Sequence, residues 1–103
     1  MKGRKRKGTT NEHRSAAWLR QEGYIPVRCA GSFGVWDLIG FSPSGILLVQ
    51  VKTARWPGTK ATRAMRRFPA PDNCWKLVHR WQPYAREPEV KFLFPPQKTM
   101  RKR

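Results

Sequence analysis

Two apolar segments, Val35–Phe41 and Ile46–Thr53, flank Ser42-Pro43-Ser44-Gly45, four residues with the composition of a tight turn. The hairpin they predict carries apolar side chains on both faces. Strands of that kind belong in the middle of a sheet covered by helices on each side. The rest of the chain supplies such cover. A helix is predicted from Thr9 to about Glu22, with Thr9 and Glu12 at capping-box spacing and Gly23 as its stop. Tyr24–Ala30 reads as a strand, and Gly31–Gly34 as a loop. After Pro57-Gly58-Thr59 a short helix places Ala61, Ala64, Met65 and Phe68 on its apolar side. Beyond the breaker Pro69-Ala70-Pro71 come two more strands, Cys74–Trp81 and Glu89–Phe94. The order α-β-β-β-α-β-β points to a single α/β domain built on a mixed central sheet flanked by helices. A length of 103 residues suits one core of that size.

The hairpin also gathers polar groups. With Ser42–Gly45 as its loop, Phe41 pairs with Ile46, and Asp37 comes opposite Gln50. Lys52, two residues on, shares their face, as do the apolar Ile39, Phe41, Ile46 and Leu48. Trp36, Leu38, Leu47, Val49 and Val51 form the other face. A charged pair within such strands is costly unless partnered. A bound cation and a phosphate would supply the counter-charges; a plain Asp–Lys ion pair at the rim of the core is the alternative. A one-residue bulge would move Asp37 to the other face.

Charge selects the partner. The chain holds 22 Lys and Arg against 6 Asp and Glu, a formal charge of +16. Five basic residues fall in Met1–Lys7 and four in Lys98–Arg103; the middle keeps 13 against all six acids, so it is basic in its own right. Residues 1–8 and 96–103 read as basic disordered tails around a domain at 9–95. A polyanion is the expected partner, with phosphate contacts that weaken as salt rises. Lys60, Arg63, Arg66 and Arg67 on the second helix, with Arg14 and Arg55, are candidate DNA contacts. No apolar run is long enough to span a bilayer, so no membrane partner is expected, and the location expected is cytoplasmic. Cys29 and Cys74 give neither a disulfide framework nor a cysteine zinc site, and His13 and His79 lack metal-pair spacing. A non-catalytic, basic nucleic-acid-binding protein fits the charge alone.

Glu12 on the first helix, Val27-Arg28-Cys29-Ala30-Gly31-Ser32, Asp37, and Gln50-Val51-Lys52 closing a strand together resemble the PD-(D/E)XK nuclease superfamily. Within it they are most similar to archaeal-type Holliday junction resolvases and their phage-borne relatives. The resemblance covers Thr9–Arg55 well and the remainder by element order. It implies a restriction-endonuclease-like core and Mg²⁺-dependent hydrolysis of DNA phosphodiesters, with Mn²⁺ as a possible substitute. Asp37 would be a metal ligand, and Glu12 would complete the site directly or through water. Gln50 stands where the family has Glu or Asp, which weakens the expected hold on Mg²⁺. Lys52 would position or activate the attacking water, or offset charge on the phosphate. Arg28 and Ser32 match family positions near the junction backbone. A resolvase implies paired nicks in a four-way junction by a homodimer, in the nucleoid or in an infected host cell. Action on another DNA structure is the alternative within the same superfamily.

Overall fold

A computed structural model describes residues 2–29 and 35–93, with side chains from Thr10 onward. The first helix, α1 (Lys2–Gln21), is followed by β1 (Ile25–Arg28), β2 (Leu38–Ser42), β3 (Gly45–Thr53), α2 (Thr59–Arg67), β4 (Cys74–Trp81) and β5 (Glu89–Phe92). The five strands form one sheet in chain order. All neighbours are antiparallel except β3 and β4, which run parallel across the α2 crossover. The sheet is therefore mixed, as the element order implies.

Helix α1 begins at Lys2, seven residues ahead of the expected start at Thr9. Lys and Arg are good helix formers, and no Pro interrupts the segment that precedes Thr9. Thr9 and Glu12 thus lie inside the helix, and their spacing is not a capping box. The stop is where Gly23 put it. Gly23 adopts φ +93, its N–H donates to Arg20 O at 3.0 Å, and Tyr24 N–H donates to Leu19 O at 2.9 Å. This is a Schellman ending, which needs the left-handed conformation glycine tolerates.

The central turn tightens to Pro43-Ser44, because Ser42 and Gly45 already pair. Gly45 sits at φ +146, and a Cβ there would lie 2.5 Å from Asn73 O. The expected register holds from that turn up to Leu38↔Val49.

Two apolar layers fill the space on either side of the sheet. Ala16 and Leu19 of α1 pack on Leu38, Leu47, Val49, Trp75 and Leu77. Met65 of α2 packs on Leu48, Cys74, Val78, Leu93 and Trp36. Trp36 therefore lies on the α2 side, not with Leu38 and Val49 as strict alternation predicts. Ala64, placed on the apolar side of the second helix, is exposed. The aromatic second half is mostly core: Trp75, Leu77, Val78, Trp81 and Leu93 are buried, while Phe92 is exposed. Phe94 lies outside the described residues.

Several polar groups inside these layers are partnered, while Trp36 Nε1, Trp75 Nε1 and His79 Nε2 find no hydrogen-bond partner among the described residues. The Lys76 ammonium, almost fully buried, donates to Arg66 O at 2.9 Å and Phe68 O at 2.5 Å, where α2 runs out of intrahelical donors. Burial pushes the Lys76 pKa down, and nearby Cys74 works in the opposite sense. Ser15 Oγ accepts Trp81 Nε1–H at 2.7 Å and lies within hydrogen-bond distance of His79 Nδ1, 2.9 Å away. His79 is fully enclosed, edge-on to Trp18 at 4.8 Å.

Burial lowers the His79 pKa to about 4 from 6.5. The unfolded chain then takes up the proton first. The stability His79 provides as a neutral group is complete above the unfolded value. It is lost as pH falls from about 6.5 through 4, by ~3 kcal/mol. Urea unfolding at stepped pH is expected to show that decline; a flat profile across the window rejects it.

Candidate active site

Asp37 does not lie in a strand; it is the residue just before β2. Its N–H donates to Val49 O and its C=O accepts Cys29 N–H, both at 2.9 Å. Val49 is already the partner of Leu38, so two residues of one strand oppose one of the other. This is a one-residue bulge. It moves Asp37 away from Gln50 in the register and explains why Trp36 changes sides.

The bulge does not remove the carboxyl from β3. Asp37 Oδ2 accepts the Val51 N–H at 2.8 Å, between Gln50 and Lys52 in the chain. Strand N–H groups lie in the plane of the sheet. The carboxylate thus occupies the rim of the sheet at the level of its backbone, where side chains from both faces reach it. The expected common face of Asp37, Gln50 and Lys52 is corrected accordingly: Asp37 lies at the edge of the sheet, bonded to the backbone between the other two.

Nearby charges bear on the Asp37 carboxyl at this edge. Burial raises the Asp37 pKa most, the Val51 hydrogen bond opposes it, Glu12 raises it and Lys52 lowers it. Glu12 from α1 and Lys52 from β3 therefore both act on Asp37. Cys29, half-buried beside them, has its thiol pushed up by burial and by the same two acids.

Gln50 Nε2 donates to Val35 O at 3.1 Å. A carbonyl only accepts, so the amide orientation is settled by that bond, and Oε1 is left as an acceptor. Glu12 Oε1 takes a hydrogen bond from Arg28 at 3.1 Å, a half-exposed pair. Asn11, which no sequence signal marked, is buried next to Glu12 and donates to Thr53 Oγ1 at 2.7 Å. It ties α1 to the end of β3 one residue beyond Lys52.

The other expected DNA contacts scatter. Arg14 donates to Asn11 Oδ1 at 3.2 Å and to Ala85 O, with its guanidinium 4.1 Å from the Trp81 ring centroid. Arg55, Lys60, Arg63 and Arg67 are exposed, and so is Arg66, whose Nε donates to Leu93 O at 2.8 Å. Ser32 lies outside the described residues.

The donor set suits a hard divalent cation in part. Glu12, Asp37 and the Gln50 carbonyl are oxygen donors, the kind such ions take. Among the described residues, however, no three His, Cys, Asp or Glu side chains come together. Two carboxylates and an amide would make a site of lower charge than three carboxylates, as the Gln50 substitution leads one to expect.

No protein-family model and no curated protein matches this sequence. Among solved structures, the fold is similar to that of Hjc, a Holliday junction resolvase from the archaeal hyperthermophile Archaeoglobus fulgidus. The TM-score is 0.65 at 23% identity, over 88% of this chain and 74% of that one. The expected α/β architecture with a mixed sheet is the one observed, and this chain shares it with an archaeal junction resolvase.

Proposed function

We propose that this chain is a metal-dependent, structure-selective DNA endonuclease, specifically a Holliday junction resolvase. One observation carries the reading: the Asp37 carboxylate is fixed on the Val51 amide at the sheet rim, with Glu12 and Lys52 both acting on it. Asp37, Glu12 and the Gln50 carbonyl would hold Mg²⁺ or Mn²⁺. When bound, the cation supplies Lewis acidity toward the phosphate. The Lys52 ammonium stabilises negative charge developing on the phosphate oxygens and orients the attacking water. Arg28 holds Glu12 in place through their ion pair. Residues 9–95 form the catalytic unit, and the basic segments 1–8 and 96–103 add sequence-independent attraction to DNA. Paired nicks across a junction require two such sites, hence a two-fold homodimer. The reading places the protein wherever the DNA lies: the cytoplasm and its nucleoid, or an infected host cell. No helix among the described residues is long and apolar enough to cross a membrane.

The test uses a labelled immobile four-way junction and a linear duplex, each with Mg²⁺, Mn²⁺ or EDTA. Symmetric, metal-dependent nicks in the junction alone are expected. Equal cutting of duplex rejects junction selectivity. The absence of a third acidic ligand among the described residues favours a second reading, a non-catalytic DNA-binding protein. Binding without cleavage in either metal supports that one.

Gln50 offers a signed test of the ligand set. Gln50→Glu makes the ligand oxygen part of a charged carboxylate and gives up the Nε2 bond to Val35 O; the Mg²⁺ concentration giving half-maximal cleavage is expected to fall several-fold. A variant that folds, binds the junction and has lost all cleavage counts against a ligand role for Gln50.

A further inference from the structure

A cationic cluster lies beside Lys52 on the side of the sheet away from Glu12. The β3–β4 register sets Lys52 next to Arg80, and the β4–β5 register sets Arg80 next to Glu89 and Val78 next to Lys91. Paired and alternate positions share a face, so Lys52, Arg80 and Lys91 stand on one surface across three adjacent strands. That width is about 10 Å, twice the spacing between neighbouring strands.

Trp56 lies against this row. The Arg80 guanidinium carbon is 4.4 Å from the centroid of its ring, and Lys91 Nζ is 5.4 Å away. Arg80 also donates to Glu89 Oε1 at 2.6 Å, which balances its charge. Lys91 is exposed and pairs with no carboxylate among the described residues. Glu89 balances Arg80 but leaves Lys91 with the indole ring, which returns only ~0.5–1 kcal/mol at an exposed site. A phosphate over the row would give Lys91 a counter-charge. Just past Trp56 in the chain, Pro57, Thr59, Thr62, Arg63 and Arg66 line an open groove of about 300 Å³, continuing the basic surface along α2. The bland account of Lys91 is that a lysine on an edge strand discourages pairing with other sheets. That account explains neither its seat on Trp56 nor its alignment with Lys52.

We propose that Lys91, Arg80 and Trp56 form a preorganised clamp for a DNA backbone phosphate, which leads the strand across β5 and β4 to Lys52. Trp56 acts by positioning the two cations. The inference rests on the reading of this chain as a DNA-binding protein, and not on its cutting what it binds.

The test measures affinity for the labelled junction and duplex in EDTA over a series of salt concentrations, so binding is read without cleavage. Lys91→Ala is expected to weaken binding to both DNAs. It should also make the slope of log K against log salt shallower by about 0.9, the loss of one phosphate contact. Lys91→Arg should keep the slope. Glu89→Gln, which frees Arg80, should tighten binding more than Glu22→Gln at the far end of α1. Trp56→Leu should weaken binding as Lys91→Ala does, and Trp56→Phe should restore it. Thermal unfolding shows whether the Trp56 variants fold; if they do not, Lys91→Ala and Glu89→Gln decide. An unchanged slope and affinity in Lys91→Ala, or equal effects of the two glutamate changes, overturns the clamp. The same protein assayed with Mg²⁺ separates the two claims. Cleavage with an unaltered Lys91→Ala slope sinks the clamp alone, and a reduced slope without cleavage by any variant sinks the hydrolytic reading alone.

Discussion

Asp37→Asn abolishes cleavage and leaves junction binding nearly intact. The expected loss is roughly 10²–10³-fold or more, the scale seen when one charge-stabilising group is removed from an active site. The substitution isolates charge because of how the side chain is held. Its Oδ2 accepts the Val51 N–H, and an asparagine carbonyl accepts the same hydrogen bond. The bulge, the β2–β3 register and the burial of Trp36 need no change. What goes is the negative charge on which Glu12 and Lys52 both act. Single-turnover cleavage of a labelled junction and a binding titration in EDTA check the two halves. Concurrent loss of both means that Asp37 is a brace for the sheet rim and nothing more. Far-UV circular dichroism of the same preparation shows whether such a loss is due to unfolding.

Lys76→Met costs about 2 kcal/mol of stability. Methionine fills a similar volume with an unbranched apolar chain. The Arg66 and Phe68 carbonyls lose their ammonium donor in a part-buried setting at the end of α2. Each unsatisfied group costs ~1–3 kcal/mol, and relief from burying a charge offsets part of the sum. The loss centres on α2, because Lys76 closes its last turn as a cationic partner for the negative end of the helix. Urea unfolding reads the change directly. Undiminished stability in Lys76→Met rejects the capping role. Retained junction cleavage at low temperature places that role in the fold rather than the site.

The fold was legible where short-range chemistry decides it. Pro69-Ala70-Pro71 before an apolar run located β4 to the residue, and Gly23 ended α1 through the one conformation it alone adopts freely. The turn residues at 43 and 44 set the hairpin register, and with it Gln50 and Lys52 on one face of β3. Sequence reasoning failed where a distant group decides. Thr9 and Glu12 satisfy a local capping pattern, but that pattern is silent about whether the preceding Lys–Arg segment also turns helical. The bulge at Asp37 comes from a side chain competing for a strand amide, which no alternation count contains. Lys76 reads as an isolated charge inside a strand, since the carbonyls it serves belong to α2. Trp56, Arg80 and Lys91 come from three separate segments and share no spacing. The candidate charged residues could be named from residue type and order; the placement of Asp37 at an edge, rather than on a face, could not.

The Asp37–Val51 bond has a further consequence for access. By taking the amide that a continuing β2 would have used, the carboxylate ends the ladder early on that flank. Among the described residues, Val51–Thr53 then runs on with β4 as its one strand neighbour. The sheet is notched there. On the proposed reading, a phosphate would enter along that flank within the plane of the strands, where neither α1 nor α2 would have to lift off its apolar layer. Turnover at such a centre, if the proposal holds, would call for no opening of the core.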